Sequence, residues 1–256
     1  MAQPRPTPET RTLRFHELAE ARHRILNPLS EAKLDLLGQI CAPQAGARHL
    51  DLACGKGELL CRWAQRFGTV GVGVDISAVF LAAAAERAVE LEVSDSVTFV
   101  HADAATYRAE PHACAVLSCL GATWIGGGLA GTLGLMAPAL EPGGVLLVGE
   151  AFWEQPPPAD VREALAAEGD FADLAGTLDR FEAAGCELVE MVLADGDDWD
   201  RYVAAQWWTL GDWLCAHPDD PDHDTFAAWL DAARRAYLAY ERRYLGWGVF
   251  VLRLGR

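Results

Sequence analysis

The sequence has only two lysines, Lys33 and Lys56, and no basic cluster. With a formal net charge of −16 and a pI near 4.7, its surface repels phosphate backbones, which excludes nucleic acid as a partner. No apolar run approaches the roughly 18 residues of a membrane span, so no membrane is expected. The seven cysteines, Cys41, Cys54, Cys61, Cys114, Cys119, Cys186 and Cys215, are odd in number and none pairs at C-x-x-C spacing. That argues against a disulfide framework or a metal site and for a reducing cytoplasm. Internal repeats and low-complexity tracts are absent. Residues 1–12 are polar and proline-bearing, lack the apolar core of a signal peptide, and read as a flexible tail.

What is present is a chain of 256 residues, 51% hydrophobic and 23% charged. That suits one large α/β domain, or one domain with a modest insertion. Helical patterns cover residues 13–24 and the stretch after Ser30, a good N-cap, with Leu34, Leu37 and Ile40 as its apolar stripe. From Gly46 short apolar runs alternate with helical stretches. The runs lie at 47–53, 70–74, 97–101, 113–118 and 145–149, and the helices at 58–67, 78–91 and 129–140. This βαβ alternation predicts a parallel sheet covered by helices on both faces. Further on, 159–185 reads as helix and 186–193 as a sixth strand. Two long amphipathic helices follow, separated by an acidic solvated loop at 217–224, and 246–254 reads as a last strand.

The most informative stretch is HLDLACGKGELL, beginning at His49, in which a buried strand feeds a glycine-rich turn that opens a helix. Glycines serve where backbone turns sharply and a ligand comes close. By itself this signal is shared by many nucleotide binders. Three details narrow it. Leu60 stands where a dinucleotide fingerprint has its third glycine, which disfavours a nicotinamide-dependent oxidoreductase. Asp75 ends the second strand, where a carboxylate can accept bonds from ribose hydroxyls. Asp103 ends the third strand, where a polar group can read an adenine amino group. Asp51 adds negative charge beside the turn, which repels a pyrophosphate and attracts a sulfonium carrying a methionyl ammonium.

These residues resemble a known family. Asp51-Leu-Ala-Cys-Gly55-Lys-Gly57 looks like motif I of the class I S-adenosylmethionine-dependent methyltransferases, with Ala53 in place of the first glycine. GVGVDIS, HADAATY and LEPGGVLLVGE resemble the ribose-side, adenine-side and fifth-strand motifs of the same superfamily, in order and at the usual spacing. The segments RHRILNPLSEAKLDLL, SCLGATWIGGG, GEAFW and YLGWGVF further resemble a bacterial group of small-molecule-type methyltransferases with a helical insertion before the last strand. The resemblance implies a Rossmann-like, seven-stranded, mostly parallel sheet, its last strand antiparallel and inserted beside the fifth. The implied partition is a methyltransferase domain at 13–197 and 245–256 with a helical lid at 198–244.

It also implies that S-adenosylmethionine is held by Asn27, Asp51, Ala53, Gly55, Gly57, Asp75, Ile76, Asp103, Ala104 and Cys119, with the Asn27-Pro28 segment packed over it. Substrate-side candidates are Trp124, Glu150, Trp153, Tyr202 and Trp207. Glu150 and His23 are the candidate acid–base residues, although each also suits a purely structural role, as does Cys119 as a small buried hydrophobe. The expected activity is methyl transfer to an O, N, S or C nucleophile of a small molecule. A non-catalytic cofactor-binding module and a protein side-chain methyltransferase are the alternatives.

Overall fold

A computed structural model of the chain describes residues 7–166 and 169–255. Seven strands form one sheet: β1 (Arg48–Leu52), β2 (Val70–Asp75), β3 (Val97–His101), β4 (Cys114–Leu120), β5 (Leu140–Trp153), β6 (Cys186–Leu193) and β7 (Leu245–Leu254). Their order is β3-β2-β1-β4-β5-β7-β6. The first five run parallel, and β7 is inserted antiparallel between β5 and β6, with Val148 opposite Phe250. This is the expected Rossmann-like architecture, last strand included.

The helices cover both faces. On one face α2 (Glu31–Cys41) and α3 (Glu58–Phe67) bury Leu34, Leu37, Leu59 and Trp63 against Val116, Leu147 and Val249. On the other, α5 (Leu129–Met136) and α7 (Leu174–Ala183) bury Leu133, Met136 and Phe181 against Leu117, Leu146, Val148 and Phe250. The alternation of Leu147 and Gly149 with Leu146 and Val148 between the two faces is the two-residue period of a strand covered on both sides. α4 (Ala78–Glu90) starts at Ser77, whose hydroxyl accepts from the Phe80 N–H (3.1 Å). The 159–185 stretch, read as one helix, contains α6 (Ala159–Ala164) and α7, because Asp173 caps a new start by accepting from Gly176 N–H (2.7 Å); residues 167–168 within it lie outside the described residues.

Two further expectations need correction. The 1–12 tail is helical from Pro8: α1 (Pro8–Ala19) starts there because Thr7 caps it and proline suits its first turn, while residues 1–6 lie outside the described residues. The acidic 217–224 loop is not simply solvated. Asp222 is 2% exposed and accepts from Arg11 Nε (2.7 Å) and Arg14 Nη1 (2.6 Å), and Asp220 accepts from Arg14 Nη2 (2.6 Å). Those carboxylates anchor α1, and a buried acid of this kind persists only when paired.

The chain between β6 and β7 contains α8 (Gly196–Ala216), α9 (His223–Ala236), a π-helical turn at Tyr237–Glu241 and a last helical turn at Arg242–Tyr244. Asp195 and Asp198 form a reciprocal capping box at the start of α8, and Lys33 of α2 bonds both carboxylates. Phe15 of α1 packs edge-on against Phe226 and Trp229 of α9, at 5.3 Å from each. Thus α1, α8 and α9 form one helical layer.

Ala53 has φ +57°, a left-handed conformation usually left to glycine. Its methyl group is small enough to be tolerated, and a β-branched side chain would not be. We therefore expect Ala53→Gly to stay within about 1 kcal/mol of the natural stability, and Ala53→Val to lose about 2 kcal/mol, in urea unfolding. Equal stability of all three proteins contradicts this account of the turn.

Candidate functional site

The carboxyl ends of β1, β2, β3 and β4 converge on the glycine turn, at the edge where open α/β sheets bind ligands. Gly55 and Gly57 both have positive φ, +53° and +66°. A side chain at Gly57 would strike the Phe99 ring (2.7 Å), and one at Gly55 would strike Leu26 (2.6 Å). Asp75 fixes the turn to the end of β2: its Oδ2 accepts from Gly55 N–H and its Oδ1 from Ser77 N–H, both at 2.8 Å. Each oxygen retains a second lone pair for a hydroxyl. Ile76, next along the chain, is 57% exposed, an uncovered apolar face beside the buried acid.

Asp51 is 4% exposed and accepts from the Ser118 hydroxyl (2.5 Å). Burial, with the nearby Asp75 charge adding to it, pushes its carboxyl up to about 7. Two buried acids therefore face a turn of backbone N–H groups, an arrangement suited to a ligand with a positive end and with hydroxyls. Asp103 is exposed and closes its own loop by accepting from Ala105 N–H (2.9 Å), with Ala104 buried beside it. Cys119 is fully buried, and burial pushes its thiol well above the usual range, so it acts as a small apolar residue rather than a nucleophile.

The chain between α1 and α2 covers this edge. Leu26 lies against Gly55, and the Asn27 side chain lies against Gly121 at the end of β4. With its amide oriented to satisfy its neighbours, Asn27 donates to the Leu26 and Leu120 carbonyls (3.2 Å each). Lys56, inside the turn, donates to the carbonyls of Glu20 (2.7 Å), Ala21 (3.1 Å) and His23 (2.7 Å), satisfying carbonyls at the end of α1. Ser77 also donates to Glu17 of α1 (2.6 Å).

Glu20 is fully buried and collects three partners: His23 Nδ1 (2.6 Å), Tyr202 Oη (2.5 Å) and Gln206 Nε2 (2.6 Å). His23 Nε2 is buried without a partner among the described residues, and its ring lies 4.9 Å from that of Tyr202.

The structure thus brings together Asn27, Asp51, Ala53, Gly55, Gly57, Asp75, Ile76 and Cys119, with Asp103 and Ala104 at the neighbouring strand end. His23 and Tyr202 join them through Glu20. Glu150 lies on the Val148 and Phe152 face of β5, which Cys119 of β4 shares; burial pushes its carboxyl up, and a bond with Thr123 opposes that. The tryptophan candidates stand apart. Trp153 is 6% exposed in a separate cluster with Val161, Leu165 and Phe171. Trp207 packs on Tyr237 within the helical layer, and Trp124 is 73% exposed. Lys56, Glu20 and Gln206 were missed; of these only Lys56 carried a signal, being one of two lysines and lying inside the turn.

Residues 50–144 match the model of a methyltransferase domain. The chain is 47% identical to a SAM-dependent methyltransferase from Geobacter sulfurreducens solved in complex with S-adenosyl-L-homocysteine, covering 94% of this chain and 98% of that one at a TM-score of 0.89. A Thiobacillus denitrificans SAM-dependent methyltransferase, also solved with S-adenosyl-L-homocysteine, is 44% identical, with 99% and 100% coverage and a TM-score of 0.88. Trans-aconitate 2-methyltransferase from Variovorax paradoxus is 32% identical over 82% of this chain and 81% of its own length.

The raised Asp51 carboxyl sets a stability trend. Its folded value near 7 lies above the unfolded value near 3.8, so between them the native state holds the extra proton and stability falls as pH rises. Asp51→Asn should make the ligand-free protein more stable at about pH 8 and flatten the decline between about pH 4 and 7. An unchanged pH–stability curve in chemical denaturation contradicts this.

Proposed function

The chain belongs to the S-adenosylmethionine-dependent methyltransferases, and from that premise we propose that it methylates an O, N, S or C nucleophile of a small molecule enclosed beneath the α1–α8 layer. The observation that carries this reading is the buried Glu20 carboxylate, where α1, the 20–27 segment and α8 meet directly above the glycine turn. A helical layer over the edge favours a small molecule over a folded protein, and the −16 charge disfavours nucleic acid. The likeness to a trans-aconitate methyltransferase, whose named acceptor is a small carboxylic acid, supports the same class.

In this reading Asp75 receives the ribose hydroxyls on its free lone pairs and Asp51 faces the methionyl ammonium. Ile76 covers one side of the adenine, with Asp103 and Ala104 at its edge. Bound S-adenosylmethionine supplies a methyl group on a sulfonium that is already a good leaving group. What remains for the protein is alignment, exclusion of water and, for a protic acceptor, removal of one proton. Asn27 and Leu26 close the turn from above. His23, beneath the roof, is the residue suited to proton removal there. Glu20 accepts from its Nδ1–H, which leaves Nε2 as the free acceptor.

Three outcomes test this. Asp75→Ala, checked for folding, should weaken S-adenosylhomocysteine binding by about ten- to hundredfold in calorimetry, the loss of charge-assisted hydrogen bonds. When the enzyme is incubated with methyl-labelled S-adenosylmethionine and a bacterial extract, label should enter the low-molecular-weight fraction. His23→Gln should slow that transfer by about a hundredfold or more while keeping cofactor affinity. Label recovered in protein alone instead favours the side-chain methyltransferase.

A further inference from the structure

A buried hydrogen-bonded row lies beneath the glycine turn. His49 and Asp51 are two residues apart on β1 and share a face, and Ser118 stands opposite Asp51 on β4. His49 Nε2 lies 2.8 Å from Ser118 Oγ, which lies 2.5 Å from Asp51 Oδ1. Their exposures are 1%, 0% and 4%. A serine hydroxyl has one hydrogen, and an ionised carboxylate only accepts. With Asp51 charged, Ser118 therefore donates to it, and the serine oxygen accepts from His49 Nε2–H. Burial pushes the His49 imidazole down to about 3, so the ring is a neutral donor. Its Nδ1 has no partner among the described residues and lies under Trp63, ring centroids 5.1 Å apart. A buried imidazole with one nitrogen unsatisfied is costly in a strand that an apolar residue would fill more cheaply, and its other nitrogen serves the row.

We infer that Ser118, oriented by His49, is a positioning residue for the cofactor: its hydroxyl holds the Asp51 carboxylate ionised and aimed at the turn, where it meets the methionyl ammonium. This rests on the proposed pairing of Asp51 with that ammonium. The other groups facing Asp51 do not substitute for Ser118. Asp75 at the end of β2 opposes its charge. The thiols of Cys54 in the turn and Cys119 on β4 are pushed up by burial and stay neutral. Lys56 directs its ammonium to the carbonyls of residues 20, 21 and 23. In the cofactor-free protein the bond from the serine hydroxyl thus opposes the burial that raises the Asp51 carboxyl.

The test is S-adenosylhomocysteine calorimetry between about pH 5.5 and 8.5 on the full chain. The natural protein should bind more weakly as pH falls, because Asp51 takes a proton. Asp51→Asn should abolish that dependence. Ser118→Ala should lose about tenfold in affinity near pH 7 and move the midpoint of the pH dependence upward, with the loss shrinking at the alkaline end. Ser118→Cys, of similar volume and a weak donor, should follow Ala, which guards against a packing defect in either variant. Affinity equal to the natural protein at every pH, or a uniform loss with an unmoved midpoint, overturns the role of Ser118. If Asp51→Asn retains the natural pH dependence, the Asp51–ammonium pairing is wrong. If the natural protein does not bind S-adenosylhomocysteine, the cofactor site itself is wrong.

Discussion

The Asp75 carboxylate is the tie on which the rest of the site depends. One oxygen holds the Gly55 N–H of the first βα turn and the other holds the Ser77 N–H at the start of the next helix. Two loops that are 20 residues apart in sequence are thereby fixed to each other. Removing the acid leaves two buried donors without a partner, each costing roughly 1–3 kcal/mol. The turn it holds is strained at Ala53, so an external anchor is what keeps its shape. Function and stability share the same atoms here, because the lone pairs left over after these two bonds are those available to a ribose.

A second constraint follows from charge. Asp51 and Asp75 are both buried, and burial disfavours charge on Asp51 in the ligand-free state. A ligand bearing an ammonium and a sulfonium relieves what the empty site opposes, so its binding is favoured by the cost already present in the fold. The roof works on the same principle of paired burial. Glu20 sits at zero exposure because histidine, tyrosine and glutamine all donate to it, and Asp222 because two arginines do. Loss of any one donor leaves a buried carboxylate underpaired, which ties the roof's position to the state of the residues around the site.

Much of this was legible in the chain. The strands of the sheet showed as short apolar runs ending in glycine or aspartate, and the turn showed as closely spaced glycines after a strand. Both are local patterns. The last strand was legible at 246–254 as well, but its antiparallel direction was legible only through the family resemblance, because strand direction is set by topology. What stayed hidden depends on partners distant in sequence. Asp222 looks like part of a solvated acidic loop until Arg11, 211 positions away, is seen against it. Ser118 and His49 look like ordinary strand residues until the pairing of β1 with β4 aligns them with Asp51. Glu20 looks like a helix-end acid, and only the docking of α8 buries it. The start of α1 reads as a tail because of its prolines, although proline in a first helical turn costs no hydrogen bond.

In the proposed reading, the 51–57 turn and Asp75 hold the cofactor. A crystal structure of this chain with S-adenosylhomocysteine tests it most directly. Ribose hydroxyls are expected within hydrogen-bond distance of the Asp75 carboxylate and the ammonium on the Asp51 side of the turn, with Asn27 and Leu26 above. Density for the ligand at any other edge of the sheet, or a ribose turned away from Asp75, would contradict it.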